Sequence, residues 1–285
     1  MHTPTTEEIR RLYEDSHQSL LRDSDRQNHR SIRHGYFDED TESEASAADN
    51  MRRTLSSLVS LEETGTVLDV GCGFGDDATW LASHDGVEVL GINIVEEQLE
   101  VARSLARERG VGDQVSFRID DFHEMASVPD DSIDVVWCVE ALCHARDDAL
   151  VVEQIDRVLD DGGQAVVADL FLTDRSRASE SSVETYREEL GTNPEPLETA
   201  VEAFDKCGYA VRTRDVTGAI VPSAKRNYRY GLWGHPYYRL RGVLTRSQTD
   251  RRYASTARGM KSQYRAIRDG SLLYAIVVAT SASSR

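Results

Sequence analysis

Residues 66–77 constrain the fold more strongly than any other stretch of this chain. A short β-branched and apolar run ends in three glycines at alternate positions, Gly71, Gly73 and Gly75, and a helical pattern begins at Ala78. Glycine is needed where the backbone takes a positive φ, or where a ligand lies against it without a Cβ in the way. The pattern therefore predicts a strand, a tight turn and a helix, with a small molecule bound over the turn.

The spacing of these glycines argues against a dinucleotide ligand. A dinucleotide turn has Gly-x-Gly-x-x-Gly, which places the pyrophosphate on the helix N-terminus. Here Asp76 takes the sixth position and Asp77 follows it, so we expect two carboxylates to repel a pyrophosphate. The pattern Asp-x-Gly-x-Gly-x-Gly that starts at Asp69 instead resembles the first motif of class I S-adenosylmethionine (SAM) methyltransferases, whose ligand carries a sulfonium and an ammonium.

Length and composition limit the class of protein. A chain of 285 residues can hold one α/β domain with a sizeable core and an appended lid. The polar N-terminus and the lack of a long apolar run predict neither a secretory signal nor a membrane span, so we expect a cytoplasmic protein. The four cysteines show no paired C-x-x-C spacing, which predicts free thiols and no metal site.

The charge of the chain is strongly negative and unevenly distributed. The formal net charge is −17, and only three of the 33 basic residues are lysine, which is typical of a salt-adapted (halophilic) protein. Residues 222–270 nevertheless carry twelve basic residues and two acids, so this segment is +10 and the remainder −27. Such asymmetry indicates a segment with a separate role.

Strand and helix patterns alternate from residue 66 onward, which predicts a doubly wound, mostly parallel sheet of seven strands, Rossmann-like in class. We expect strands at 66–70, 87–94, 114–119, 133–139, 164–171, 209–216 and 272–280, and helices at 47–61, from 76, and at 95–109, 147–159 and 195–207. The predicted parts are a helical lid at 1–62, a SAM-binding core at 63–221, a cap insert at 222–270, and a final strand and tail at 271–285.

Cofactor residues are expected where strands of an open α/β sheet end. Asn93 follows the second strand in place of the acid that normally takes both ribose hydroxyls, and Gln98 lies one helical turn further on. After the third strand, Asp121 matches the position that accepts from the adenine amino group, and Phe122 can cover the purine face. Glu140 follows the fourth strand and can face the methionine part of SAM. With Asp69 and the three glycines, these residues form the expected cofactor site.

The run from Val135 to His144 resembles a stretch of sugar O-, tocopherol-type C- and sarcosine/dimethylglycine N-methyltransferases. A base is needed only when the acceptor is a hydroxyl or an acidic carbon, and a histidine suits that task. The resemblance therefore points to His144 and Glu140 as catalytic residues, with His144 also facing the substrate. A histidine that only caps a turn is the alternative.

Substrate contacts are expected from two segments outside the core. The arm at 31–37 contains His34-Gly-Tyr36, which resembles the lid of small-molecule methyltransferases. In the insert, Tyr230 and Trp233 lie among interleaved aromatics and arginines. The insert could cap a substrate, contact an anionic membrane, bind nucleic acid, or dock on the acidic remainder or on a second subunit. Nucleic acid is disfavoured because the remaining −27 repels phosphates.

Together these features predict a SAM-dependent methyltransferase that moves a methyl group to the O, N or C atom of a small molecule and releases S-adenosylhomocysteine. Two alternatives stay open. One is an enzyme of the same fold that methylates a prenylated quinone or another lipid at the membrane, and the other is a non-catalytic SAM-binding regulatory module. A homodimer is compatible with either.

Overall fold

A computed structural model describes residues 3–26, 33–61 and 65–281, with the side chains of 18–26 left aside. Residues 31 and 32 of the predicted arm, and the predicted boundary between residues 62 and 63, lie outside the described residues. Within the described residues, no helix is both long enough and apolar enough to cross a bilayer.

The centre of the structure is one sheet of seven strands, as predicted. In spatial order it runs β3-β2-β1-β4-β5-β7-β6; β7 is antiparallel to both of its neighbours and the other pairs are parallel. The strands are β1 (Thr66–Val70), β2 (Glu88–Asn93), β3 (Val115–Ile119), β4 (Ile133–Val139), β5 (Leu159–Leu172), β6 (Tyr209–Asp215) and β7 (Leu272–Ser281).

Helices cover both faces of this sheet. They are α1 (Thr6–Arg26), α2 (Glu44–Ser56), α3 (Asp76–Asp85), α4 (Glu96–Glu108), α5 (Asp148–Val158), α6 (Ser181–Leu190), α7 (Leu197–Lys206), α8 (Thr217–Thr245) and α9 (Gln248–Arg268). Central strand β4 is apolar on both sides because Val135 and Trp137 belong to one buried cluster, and Val136 and Cys138 to the other. A parallel strand covered on both faces is expected to be this continuously apolar.

The observed elements differ from the predicted ones most clearly at α2 and β5. Helix α2 starts earlier than predicted because the Ser43 side chain accepts from the Ser46 amide and caps its first turn. Strand β5 was predicted at 164–171 but begins at Leu159, so that it includes the acids and glycines at 160–163. It pairs with β4 from Leu159, with a shift in register. Helix α6 was not predicted.

The insert between β6 and β7 is a pair of long helices. Helix α8 has 29 residues and begins at Thr217, before the predicted limit at 222, and α9 returns antiparallel to it as far as Arg268. Helix α9 also contacts α1 and α6. The N-terminal helix and the insert therefore lie on the same side of the core.

The glycine turn joins β1 to α3 and also allows α4 to pack closely. Gly75 has a φ of +74°, and its amide donates to the Cys72 carbonyl at 2.9 Å. A Cβ on Gly75 would lie 2.7 Å from the Ala102 Cβ on α4 and 2.8 Å from the Phe117 ring on β3. This glycine is therefore required both by its backbone conformation and by the neighbouring side chains.

We expect Gly75→Ala to lower the free energy of unfolding more than Gly86→Ala does. Gly86 also has a positive φ, +71°, but a Cβ there would meet no heavy atom within 4 Å. The left-handed backbone alone costs about 1–2 kcal/mol for alanine, and the crowding at Gly75 should add about 1–3 kcal/mol. Urea unfolding of both variants measures the difference, and equal losses would contradict the packing argument.

Candidate functional site

A cavity of about 430 Å³ lies at the carboxyl ends of β1, β2, β3 and β4, within the size range of small-molecule sites. Its wall combines the glycine turn with side chains from α1, the arm, α6, α8 and α9. Nine of the predicted site residues line it: His34, Gly71, Gly73, Asn93, Gln98, Phe122, Glu140, His144 and Tyr230. The structure thus brings the ends of four strands together with both segments outside the core.

The other predicted site residues lie elsewhere. Asp69 is fully buried in β1, where burial raises the pKa of its carboxyl to about 7 in spite of nearby Arg33. Gly75 packs against α4 and β3 as described above. Tyr36 points away from the cavity, since Arg214 on β6 donates to its hydroxyl at 2.9 Å. The Trp233 side chain is 81% exposed and is absent from the cavity wall.

Asp121 holds the N-terminal helix and does not line the cavity. One of its carboxylate oxygens accepts from the Thr6 hydroxyl on α1 at 2.7 Å, and the other from the amide and Nδ1 of His123. Burial opposes ionisation, but these hydrogen bonds outweigh it and lower the pKa of Asp121 to about 2. Its neighbour Phe122 does line the cavity, so the end of β3 still offers an aromatic face.

The middle glycine leaves room for a ligand. Gly73 has a φ of +52° and lines the cavity, and a Cβ placed on it would meet no heavy atom within 4 Å. The side of the backbone where a side chain would project is therefore open space. This is the arrangement expected where a ligand lies directly on the turn.

Asn93 and Gln98 form a polar pair in the cavity wall. The Asn93 amide nitrogen donates to Gln98 Oε1 at 2.7 Å, and Asn93 Oδ1 accepts from the Ile94 amide at 2.9 Å. Gln98 is 3% exposed, and among the described residues its Nε2 has no hydrogen-bond partner. A buried donor without a partner is costly, so this site fits a ligand with hydroxyl acceptors such as a ribose.

Glu140 is the meeting point of the arm and the sheet. Its Oε1 accepts from the His34 amide at 2.8 Å, lies 3.0 Å from His34 Nδ1, and accepts from the Tyr274 hydroxyl at 3.1 Å. Its φ of +50° is unusual for a residue with a side chain. Burial favours the neutral acid, but His34 outweighs it and lowers the pKa of Glu140.

The surroundings of His34 favour its protonated form. Its Nδ1 faces Glu140, and its Nε2 lies 3.2 Å from Gln263 Oε1 on α9, so both ring nitrogens face acceptor oxygens. Burial alone would lower the pKa of His34, but Glu140 raises it above the ordinary value. The arm is also fixed at the next residues, since the Gly35 amide donates to the Ser223 hydroxyl and the Tyr36 amide to the Ala47 carbonyl.

His144 is held neutral, in a single tautomer. Its Nδ1 lies 2.8 Å from the Gly191 carbonyl, which can only accept, so this nitrogen carries the proton. Its Nε2 lies 2.8 Å from the Tyr13 hydroxyl and therefore accepts from it. Burial lowers the pKa of His144 and raises that of Tyr13, so both groups are uncharged.

Tyr13 is a cavity residue that the sequence analysis missed. It lies on α1 with Ile9, Leu12 and Ser16, which all line the cavity. These four positions share one helical face, a spacing that could have indicated a cavity wall. Nothing in the local sequence pairs Tyr13 with His144, which lies 131 residues further along the chain.

The carboxylates after the glycine turn are neutralised by arginines. Asp76 accepts from Arg52 and from Arg109, the latter at 2.6 Å, and Asp77 accepts from Arg33 and Arg52. In the sequence analysis these two acids were treated as uncompensated charges that repel a pyrophosphate, and that step of the reasoning was wrong because both acids are paired with arginines. Their charge is balanced by arginines on the arm, on α2 and after α4.

Comparisons with known proteins assign the family. A family model described as a methyltransferase domain matches residues 61–217, more than half of the chain. The chain belongs to the SAM-dependent methyltransferases. This membership confirms the predicted enzyme class, its small-molecule branch and its cofactor, S-adenosylmethionine.

Two relatives of this chain are themselves named methyltransferases. The 27-O-demethylrifamycin SV methyltransferase of Amycolatopsis mediterranei (strain S699) is 35% identical over 188 residues, covering 66% of this chain and 67% of the relative. Methyltransferase GfsG of Streptomyces halstedii is 36% identical over 143 residues, covering 50% and 51%. The matched parts thus span between half and two thirds of these relatives.

Solved structures share the fold over almost the whole chain. The [4+2]-cyclase SpnF has a TM-score of 0.80 at 23% identity, covering 99% of this chain and 97% of the other. A geranyl diphosphate methyltransferase in complex with GPP and sinefungin has a TM-score of 0.77 at 19% identity, covering 97% and 99%. At these identities the likeness concerns the fold alone.

We expect His34 and His144 of this methyltransferase to titrate on opposite sides of the ordinary histidine pKa of about 6.5. Because the pKa of His34 is raised in the folded state, its contacts contribute their full stabilisation when the pH is below the ordinary histidine pKa. This stabilisation is lost as the pH rises through the raised pKa of His34. Because the pKa of Glu140 is lowered in the folded state, its contacts contribute their full stabilisation when the pH is above the ordinary glutamate pKa. This stabilisation is lost as the pH falls through the lowered pKa of Glu140.

Imidazole signals followed by NMR across pH measure these midpoints. Glu140→Gln is the control, because removing the carboxylate should lower the midpoint of His34 and leave His144 below its ordinary value. An ordinary or raised midpoint for His144 would contradict its neutral state in the site.

Proposed function

We propose that this enzyme methylates a hydroxyl oxygen of an apolar small molecule. The observation that supports this proposal best is the uncharged Tyr13–His144 pair in the cavity wall, with the Nε2 lone pair of His144 directed at the Tyr13 hydroxyl. A hydroxyl must lose its proton when it is methylated, and this pair offers a place for that proton. The name of the rifamycin relative also specifies an O-methylation.

Bound SAM supplies an electrophilic methyl group on a sulfonium. In the proposed reaction the substrate hydroxyl passes its proton to the Tyr13 oxygen, and the Tyr13 proton moves to His144 Nε2. The substrate oxygen would take the methyl group, and the sulfur would keep the electron pair of the broken C–S bond. His144 ends as the cation, with its Nδ1–H still donating to the Gly191 carbonyl. Products are the methyl ether and S-adenosylhomocysteine, and the proton later returns to water.

The remaining cavity residues receive positioning roles in this proposal. The open side of Gly73 accommodates the cofactor, the unpartnered Gln98 amide donates to its ribose, and Phe122 stacks on its adenine. Glu140, with His34 bound to it, faces the methionine part. The carboxylate of Asp121 is engaged by Thr6 and His123, so we assign it to anchoring α1 and not to the adenine.

The part of the cavity wall that α1, α6, α8 and α9 form, which we assign to the substrate, contains several apolar side chains. Ile9 and Leu12 of α1, Leu190 of α6 and Met260 of α9 line it beside Tyr13. Tyr230 of α8 closes the same region. An apolar substrate gains from burial against these side chains, and a single hydroxyl can reach the Tyr13 oxygen.

The test compares His144→Ala and Tyr13→Phe with the unchanged enzyme. Transfer of labelled methyl from SAM is measured on a panel of apolar alcohols and phenols, each paired with its O-methylated form as a blocked acceptor. We expect His144→Ala to lower kcat by about 10²–10⁴-fold. Tyr13→Phe should lower kcat while keeping the ring, and thereby separate loss of the hydroxyl from loss of packing.

Calorimetric titration with S-adenosylhomocysteine is the control for this test. Both variants should bind it as the unchanged enzyme does, because neither side chain is assigned to the cofactor. Full turnover by His144→Ala, or label recovered on carbon or nitrogen of the product, would overturn the O-methylation proposal.

We further propose that the enzyme works in a cytoplasm of high ionic strength. Support comes from the net charge of −17, from the scarcity of lysine, and from the four free cysteines, which suit a reducing compartment. Self-repulsion among surface carboxylates is screened by salt, so folding stability should increase with ionic strength.

Thermal unfolding in dilute buffer and in molar potassium chloride measures this dependence. We expect a higher midpoint in the salt, and a smaller salt effect in the double variant Glu39→Gln and Glu42→Gln, which removes two exposed charges. An uncharged osmolyte of equal osmolality is the control. A midpoint that is unchanged or falls in potassium chloride would contradict the proposal.

A further inference from the structure

Helix α8 buries its smallest residues and exposes its largest apolar ones. Gly231, Gly234 and Gly242 lie on the side that packs against α9. A Cβ on Gly231 would come within 2.5 Å of the Ala257 carbonyl oxygen, so the two helices touch through their backbones. Tyr228 and Tyr238 of α8 do pack on Tyr264 and Tyr253 of α9. Four other large apolar side chains of α8 stay exposed and do not hold the helical pair together: Trp233, Tyr237, Leu240 and Leu244.

Those side chains form one continuous stripe on the outer face of α8. Trp233 is 81% exposed, Tyr237 57%, Leu240 63% and Leu244 75%. Their spacing of four, three and four residues places them on one side of the helix, opposite the glycines. We call these four residues the outer stripe. Exposed apolar side chains in a contiguous group usually mark an interaction site.

Positive charge accompanies the outer stripe. Helix α8 contains five basic residues and no acidic one. Arg239 and Arg241 come directly before and after Leu240, so they project to either side of the outer stripe, while Arg229 and Arg246 are exposed near its ends. Arg241 also reaches Asp250 on α9 at 3.1 Å, yet its side chain stays 53% exposed.

We propose that the outer stripe docks on the surface of an anionic lipid bilayer. A helix with Trp, Tyr and Leu on one face and arginines along its flanks is suited to lie in the plane of the interface. Its apolar side chains would enter the boundary between headgroups and acyl chains, and the arginines would meet lipid phosphates. The net charge of −27 on the rest of the chain would turn the core away from the bilayer.

Charge also decides against a second copy on the same stripe. Two such helices face to face would bring five basic residues from each copy together, without an acid on either helix to compensate. An anionic bilayer offers the opposite charge. Self-association is therefore the competing outcome of the test.

The position of α8 connects this surface to the cavity. Arg226, Asn227 and Tyr230 of α8 line the cavity, and the outer stripe begins three residues after Tyr230. A docked helix would thus place the bilayer beside the part of the cavity that we assign to the substrate. The route from the lipid into the cavity rests on the proposed function, because it requires an apolar acceptor. The docking of the outer stripe does not rest on the proposed function.

Trp233 provides the readout for docking. The other two tryptophans, Trp80 and Trp137, are 5% and 0% exposed, so a change of emission on adding vesicles reports mainly on Trp233. Vesicles of equal phosphatidylglycerol and phosphatidylcholine are compared with pure phosphatidylcholine, in the lowest salt at which circular dichroism shows a folded chain. We expect a blue shift and co-sedimentation with the anionic vesicles, weakened as salt is added.

The double variant Leu240→Glu and Leu244→Glu should lower the partition coefficient at least tenfold, because it replaces buried acyl contact with charge of the wrong sign. Leu150→Glu is the matched control: Leu150 is 46% exposed on α5, away from α8, and its variant should bind vesicles as the unchanged protein does. Circular dichroism checks that both variants are folded.

Three results would overturn the docking proposal. These are the absence of a Trp233 shift with anionic vesicles, equal binding by the double variant, and a concentration-dependent dimer in analytical ultracentrifugation that the double variant abolishes. Methyl transfer to a water-soluble acceptor without vesicles tests the proposed function separately, because Leu240 and Leu244 lie outside the cavity.

Discussion

The pairing of Asp77 with two arginines underlies the geometry of the whole site. Arg33 belongs to the arm and Arg52 to α2, while the Trp137 indole on β4 donates to the same carboxylate at 2.8 Å. Burial would raise the pKa of Asp77, but the two arginines hold it low. Breaking a buried pair of this kind costs about 3–5 kcal/mol because it leaves an uncompensated charge. Three segments far apart in sequence are therefore fixed at the end of β1 by one carboxylate.

Fixing Arg33 also fixes the residue that follows it. His34 reaches Glu140 through its amide and its ring, and Glu140 receives the Tyr274 hydroxyl as well. The cavity thus contains a histidine whose protonated form is favoured by a paired carboxylate and, on its other side, a neutral histidine paired with a phenol. Environment alone separates these two states, since a carboxylate faces one imidazole whereas a backbone carbonyl and a hydroxyl face the other.

The parts of this structure that could be predicted from sequence are those set by local pattern. The glycine turn and the seven strands follow from spacing and alternation within short stretches. The partners of Asp77 could not be found in this way, because Arg33 and Arg52 lie 44 and 25 residues away in the chain. Tyr13 and His144 are further apart still. Helix α8 contains Pro222 and Pro236 as well as several glycines, and such residues usually end helices. A helix of 29 residues could therefore not be predicted from the sequence, because it depends on packing against α9.

One fold can host different chemistry, and the likeness to a structure titled as a [4+2]-cyclase illustrates this directly. The sheet and the glycine turn account for a bound nucleoside, but they do not choose the reaction. That choice must come from side chains outside the sheet, and the cavity wall takes such side chains from α1, the arm and the helical pair α8 and α9. In this chain α1 contributes Tyr13, whose hydroxyl meets a histidine from the core. In the proposed reaction this pair takes up the substrate proton, so proton transfer requires α1 to lie on the cavity.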